Sequence, residues 1–269
     1  MLARVARPLR DALIVVGLGR AAYYFFVQDI QPWTFVGVDA RAYWQVDLAH
    51  PYLSSSVGGV SSYLYSPAVA QVLAPFGALP FNVFFGIWLA VSLAILWWLI
   101  RPWPWALPIF SLPIIYELCV GNVNYLLAAA IVLGFRAPSL WAFPVLTKIT
   151  LGVGALWFAV RREWHSLALV LGSIAVIVTI SFVLSPTAWT DWIALLMTYS
   201  NRNELLPLRF AGAIVLVAIG ALTGRRWLVP IAVWIAQPNV IINSWVILLA
   251  TIRLREREPT GIPMTAERA

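Results

Sequence analysis

The chain has 269 residues, 62% hydrophobic and 11% charged, with a net charge of +7. A soluble domain of this length has no use for so much apolar surface, whereas repeated spans of roughly 20 apolar residues do, so the composition specifies a polytopic helical membrane protein. The positive charge comes from arginines in short groups between apolar runs, where they set orientation and do not point to nucleic acid. The one cysteine, Cys119, excludes an internal disulfide and a cysteine-built metal site, and His50 and His165 lie too far apart in sequence to suggest a histidine cluster.

In chain order, the first predicted span covers 11–28. Arg4, Arg7 and Arg10 precede it and place the N-terminus in the cytoplasm. Arg20 interrupts the run and no small-x-small cleavage site follows, which reads as an uncleaved signal anchor with Arg20 turned toward the bundle. Residues 29–66 then form an outer loop. Its stretch 37–67 is the longest polar segment of the chain, carrying Asp39, Arg41 and Asp47 among Tyr43, Trp44, Tyr52, Tyr63 and Tyr65. Such a stretch beside a membrane span is either functional or an ordinary solvated connector.

Pro75 and Pro80 divide the next apolar run into a short helix at 67–79 and a full span at 81–100, returned to the cytoplasm at Arg101. Residues 105–118 go out to the polar turn Gly121–Asn124, and 125–135 return to Arg136. Arg136 and Arg161–Arg162 both read as cytoplasmic, with Lys148 midway. Each limb of about 12 residues spans near 18 Å and cannot cross a core of about 30 Å. Residues 137–160 are therefore either a re-entrant pair with Lys148 deep in the membrane or one long tilted helix. The span 166–184 leads to a second outer loop, 185–209, with Asp191, Arg202, Glu204 and Arg209. Residues 210–223 return, and 227–252 are either a hairpin broken at Gln237–Pro238–Asn239 or one kinked span. Residues 1–252 form a single transmembrane domain, and the charged tail 253–269 is predicted to be disordered and cytoplasmic.

This topology gathers Asp39, Asp47, Glu117, Asn122, Asn124, Asp191, Arg202, Glu204 and Arg209 on the outer face, with Lys148 below them. A carboxylate can take a proton from an acceptor hydroxyl while cations neutralise a departing phosphate, so the set suits transfer of a group from a lipid-phosphate donor. It also describes a polar rim without chemistry. Lys148 is the one lysine among 18 basic residues, a compact ammonium where the chain otherwise uses arginine.

Several stretches resemble glycosyltransferase family 87, polytopic enzymes of the GT-C type that use polyprenyl-phosphate mannose. They are Asp39 with Tyr43, Pro51–Tyr52, then Tyr63, Tyr65 and Pro67 leading into a run that ends Leu79–Pro80. The turn Gly121–Asn124 resembles the family's Gly-Gln-x-Asn turn, and Thr147–Lys148–Ile149–Thr150 its lysine-containing hairpin. The likeness covers roughly residues 11–185. Asn122 departs from the usual glutamine, Thr150–Leu151 replaces the usual proline, and the chain is shorter than a typical member, with C-terminal spans missing on this reading.

The resemblance implies an all-α GT-C-like bundle with short or broken helices around an outward-facing cavity. It implies Asp39 as catalytic base and Lys148 as a phosphate contact. Arg202 or Arg209 would assist Lys148, Tyr43, Tyr63 and Tyr65 would lie along the sugar or lipid, and Asn122 and Asn124 would bind substrate. The expected reaction is inverting transfer of a hexose, mannose first, from a polyprenyl-phosphate sugar to a lipid or glycan acceptor at the outer face of the plasma membrane. No metal or other cofactor is expected, since no clustered Asp-x-Asp is present. A polyprenyl-lipid transporter or flippase, or a degenerate scaffold, would need no general base.

Overall fold

The structure, a computed structural model, describes residues 2–28, 32–52, 62–200 and 204–256, and every regular element among them is helical. The protein is an all-α membrane bundle. Three helices are long and apolar enough to cross a membrane: α4 (Phe81–Ile100), α10 (Trp164–Leu184) and α12 (Leu206–Thr223). A fourth crossing is made by α6 (Ser111–Val120) with α7 (Asn124–Gly134) if the two are counted together, bent by 111° at the turn between them. The apolar side chains of α4, α10 and α12 are widely exposed, Leu222 at 78% and Val183 at 74%. Lipid tails tolerate such faces and water does not.

The predicted first span is the helix α1 (Leu2–Phe26), longer at its start than expected and carrying Pro8. Its charges at Arg10, Asp11 and Arg20 keep it outside the set of strongly apolar helices. Arg20 does turn to the bundle, its guanidinium 4.7 Å from the centre of the Trp245 ring. Gly17 lets α1 lie against α5 (Ala106–Ile109), where a Cβ would stand 2.6 Å from the Ile109 Cα.

The break at Pro75–Pro80 separates α3 (Pro67–Leu73) and a 3₁₀ turn (Ala74–Ala78) from α4, as the prolines predict. Residues 137–160 are broken, not one long helix. A 3₁₀ turn (Pro138–Trp141) and α8 (Ala142–Thr147) run to Lys148, which is extended at φ −146°, and a 3₁₀ segment (Ile149–Ala155) and α9 (Leu156–Val160) run away from it. Trp141, fully buried, fills the space between the limbs because Gly134 and Gly154 leave room for its ring.

The second outer loop differs from expectation. Residues Pro186–Ser200 form a helix, α11, and Leu205 already caps α12, so Arg209 sits in a helix. The physical reason is a buried tryptophan face at i, i+3 spacing. Trp189 donates to the Ser181 hydroxyl at 3.1 Å and Trp192 to the Leu64 carbonyl at 3.1 Å.

Residues 227–252 are also broken, into α13 (Leu228–Ile235), a non-helical stretch through Gln237 and a 3₁₀ segment (Ile242–Leu249). The final helix, α14 (Ala250–Glu256), takes in the first four residues of the predicted tail. Arg253 holds it by donating to the Trp98 carbonyl and lying over the Trp98 ring at 5.2 Å. The rest of that tail, 257–269, is outside the described residues.

Candidate active site

Two glycines in the left-handed region seat the short helix α2 (Val38–Trp44) on the corner between α6 and α7. Gly37, at φ 69°, caps α2 and donates its N–H to the Cys119 carbonyl at 2.7 Å. Gly121, at φ 72°, ends α6, and a Cβ there would stand 2.8 Å from that of Ala40. Only glycine meets both the backbone angle and the close approach. Asp39, in the first turn of α2, is thereby set against the turn 121–124.

Asn122 donates Nδ2 to Asp39 Oδ2 at 2.6 Å. The Asn122 oxygen accepts from the Val123 N–H at 2.7 Å and from the Tyr65 hydroxyl at 3.5 Å, and Tyr65 shares a 2.9 Å bond with the Tyr43 hydroxyl. Tyr52 donates to the Tyr65 carbonyl at 2.7 Å and Tyr63 to the Ser66 carbonyl at 3.1 Å. All four tyrosines are buried, with ring centres of neighbours 5.5 to 6.0 Å apart. They form a rigid wall behind Asp39, their hydroxyls already committed.

Asp39 itself is half-buried, with one carboxylate oxygen hydrogen-bonded among the described residues. Burial pushes its carboxyl above the ordinary 3.8, while the Asn122 hydrogen bond and the charge of Lys148 pull it partly back. A half-open carboxylate with raised proton affinity fits a proton acceptor. Asp47 is different. It is exposed, accepts the Ala49 N–H at 2.9 Å and lies 3.7 Å from His50, holding a surface turn.

A second polar chain starts from the other end of the same turn. Glu117, 1% exposed, accepts the Asn124 N–H at 2.8 Å on one oxygen and the Asn124 side-chain amide at 2.9 Å on the other. Lys148 Nζ donates to Asn124 Oδ1 at 3.5 Å and to Gln237 Oε1 at 3.1 Å. Arg209 donates to the Ile235 carbonyl at 3.0 and 2.8 Å and to the Gln237 carbonyl, clamping the break after α13.

The structure thus brings Asp39, Tyr43, Tyr65 and Asn122 into one chain and Asn124 and Lys148 into another. Tyr63 stands behind Tyr65. Arg209 reaches the second chain only through Gln237, and its Nε and Nη2 donate to backbone carbonyls. Arg202 lies outside the described residues. Sequence reasoning placed Glu117 on the polar face without a role and read Gln237 only as part of a break. The signal for both was a polar side chain inside an apolar run, which in a membrane needs a partner. A cavity of about 390 Å³, lined by His50, Tyr52, Asp191, Ala194, Leu195 and Thr198, opens beside Tyr52.

The comparisons with curated proteins and with solved structures give no match. The model of glycosyltransferase family 87 matches residues 63–266. That stretch starts later and runs further than the likeness read from sequence. It holds Tyr63, Tyr65, Asn122, Asn124, Lys148 and Arg209, while Asp39 and Tyr43 precede it and join it through the hydrogen bonds of Asn122 and Tyr65. With more than half of its length matched, the chain belongs to glycosyltransferase family 87.

Proposed function

We propose that this membrane glycosyltransferase moves a hexose, mannose first among candidates, from a polyprenyl-phosphate sugar to a hydroxyl of a lipid or glycan acceptor. Asp39 takes the proton of the acceptor hydroxyl. The oxygen so freed forms a bond to the anomeric carbon as the bond from that carbon to the phosphate oxygen breaks, and the polyprenyl phosphate leaves with the electron pair. A single displacement inverts the anomeric centre through an oxocarbenium-like transition state. Lys148 stands where the charge of the leaving phosphate develops.

The observation that carries this reading is the pairing of a partly exposed carboxylate and a lysine on either side of one four-residue turn. Tyr43, Tyr63 and Tyr65 back the carboxylate, and Arg209 steadies the Gln237 carbonyl beside the lysine. The arginine groups between the apolar runs support a topology with both termini in the cytoplasm and the site at the outer face, here read as that of the plasma membrane. A lipid carrier would use the lysine but has no need of the carboxylate.

The test is to incubate reconstituted protein with radiolabelled polyprenyl-phosphate mannose and a mixed lipid and glycan extract, beside Asp39→Asn. A labelled product that vanishes in the variant is expected. Product from both proteins removes Asp39 from the chemistry. Product from neither, with other polyprenyl sugars also tried, favours the carrier.

A further inference from the structure

Lys148 makes no direct ion pair among the described residues. Its ammonium meets two neutral amide oxygens, those of Asn124 and Gln237. The carboxylate that answers its charge is one residue removed. Glu117 is fully buried at the end of α6, and both its oxygens are taken by Asn124.

The chemistry of the three groups leaves Asn124 a single orientation. A carboxylate only accepts and an ammonium only donates, so the Asn124 NH₂ must face Glu117 and its oxygen must face Lys148. Asn124 is itself 1% exposed, shielded from bulk solvent. Asn122, two residues earlier, holds Asp39. One turn therefore carries the carboxylate at one end and the lysine at the other.

We propose that Glu117 is a positioning residue for sugar transfer: acting through Asn124, it aims Lys148 at the phosphate of the polyprenyl-phosphate donor. This inference rests on the donor reading above. Glu117→Gln isolates the effect. A glutamine can still accept the Asn124 N–H, but its own NH₂ then meets the NH₂ of Asn124. The Asn124 amide turns over to escape that clash and presents a donor to the Lys148 ammonium. Lys148 loses the Asn124 oxygen and keeps only that of Gln237, without any change in the size of residue 117.

The alternative is that Glu117 only caps the start of α7. A cap alone would change stability but would not act through Lys148. The experiment is a double-mutant cycle read as binding of a short-chain polyprenyl phosphate, lacking sugar, to purified protein in detergent micelles. The proteins are wild type, Glu117→Gln, Lys148→Gln and the double variant. Thermal unfolding is followed in parallel, and Glu117→Asp is included as a shorter carboxylate that keeps the charge.

Each single neutral variant is expected to weaken binding about tenfold, and the double variant no more than Lys148→Gln alone. Glu117→Asp should recover a measurable part of the loss. Binding of the uncharged polyprenol should not change. Additive losses, or Glu117→Gln binding like wild type while Lys148→Gln does not, overturn the positioning role and leave the donor reading standing. Absence of polyprenyl-phosphate binding by wild type overturns the donor reading and this inference with it. If Glu117→Gln does not fold, Asn124→Asp takes its place: it brings a carboxylate against Glu117 and must show the same coupling to Lys148.

Discussion

Two carboxylate–asparagine pairs share the turn after α6, and they are built to opposite ends. Asp39 offers one oxygen to Asn122 and keeps the other unengaged among the described residues, with the side chain only partly buried. Glu117 is sealed at 1% exposure with both oxygens bound to Asn124. On the proposed reading the same functional group takes a proton in one setting and holds its neighbours in position in the other. Access and unspent hydrogen-bonding capacity make the difference, not the kind of residue.

The sharpest way to break this contrast is to neutralise the open carboxylate. Asp39→Asn is expected to lower turnover by about two to four orders of magnitude, the usual weight of a general base. It should not cost stability. The folded state raises the Asp39 carboxyl above 3.8. Its stabilising contribution is therefore present below pH 3.8 and is lost as pH rises through the raised value. At neutral pH the charged group is a net cost that asparagine removes, so the thermal midpoint should hold or rise.

Next comes the seat of α2. Gly121→Ala places a Cβ at a positive φ and 2.8 Å from the Ala40 Cβ. A shift of α2 by an ångström is expected to cost about a hundredfold in turnover, with about 1–2 kcal/mol of stability lost to the backbone angle alone. Turnover assays and thermal unfolding of the same preparation check both.

Asn122→Leu sharpens the contrast from the other side. It removes the hydrogen bond that draws the Asp39 carboxyl downward. The carboxylate then holds its proton to higher pH, and the acid limb of the pH–rate profile should move up. An unmoved limb would detach Asn122 from the base.

The smallest effect belongs to Asp47→Asn. Asparagine keeps the bond to the Ala49 N–H, so turnover should stay within about twofold and stability within about 0.5 kcal/mol.

What the sequence carried was mostly local. Pro80 and Arg101 bound α4 at the predicted residues, because a proline stop and a charged end act on their own segment. The limb length around Lys148 left a re-entrant pair open, and the structure breaks there. The stretch read as a second outer loop is largely helical, because Trp189 and Trp192 pack against Ser181 and Leu64, partners that lie outside that stretch. Partnerships were out of reach. Lys148 meets Gln237 and Asn122 meets Asp39 across long stretches of chain. No pattern within one segment encodes such a meeting. The tyrosines were legible as a cluster, but their burial and spent hydroxyls follow from packing by α2, α3 and α4.

The most direct test compares Asp39→Asn and Glu117→Gln side by side, measuring kcat, KM for the lipid donor and thermal midpoint on each. Asp39→Asn should lose kcat and keep its midpoint, while Glu117→Gln should raise KM, lose less kcat than Asp39→Asn does, and unfold at lower temperature. An Asp39→Asn protein that turns over like wild type, beside a Glu117→Gln protein that is folded and inactive, would put the proton on the wrong carboxylate and contradict the account.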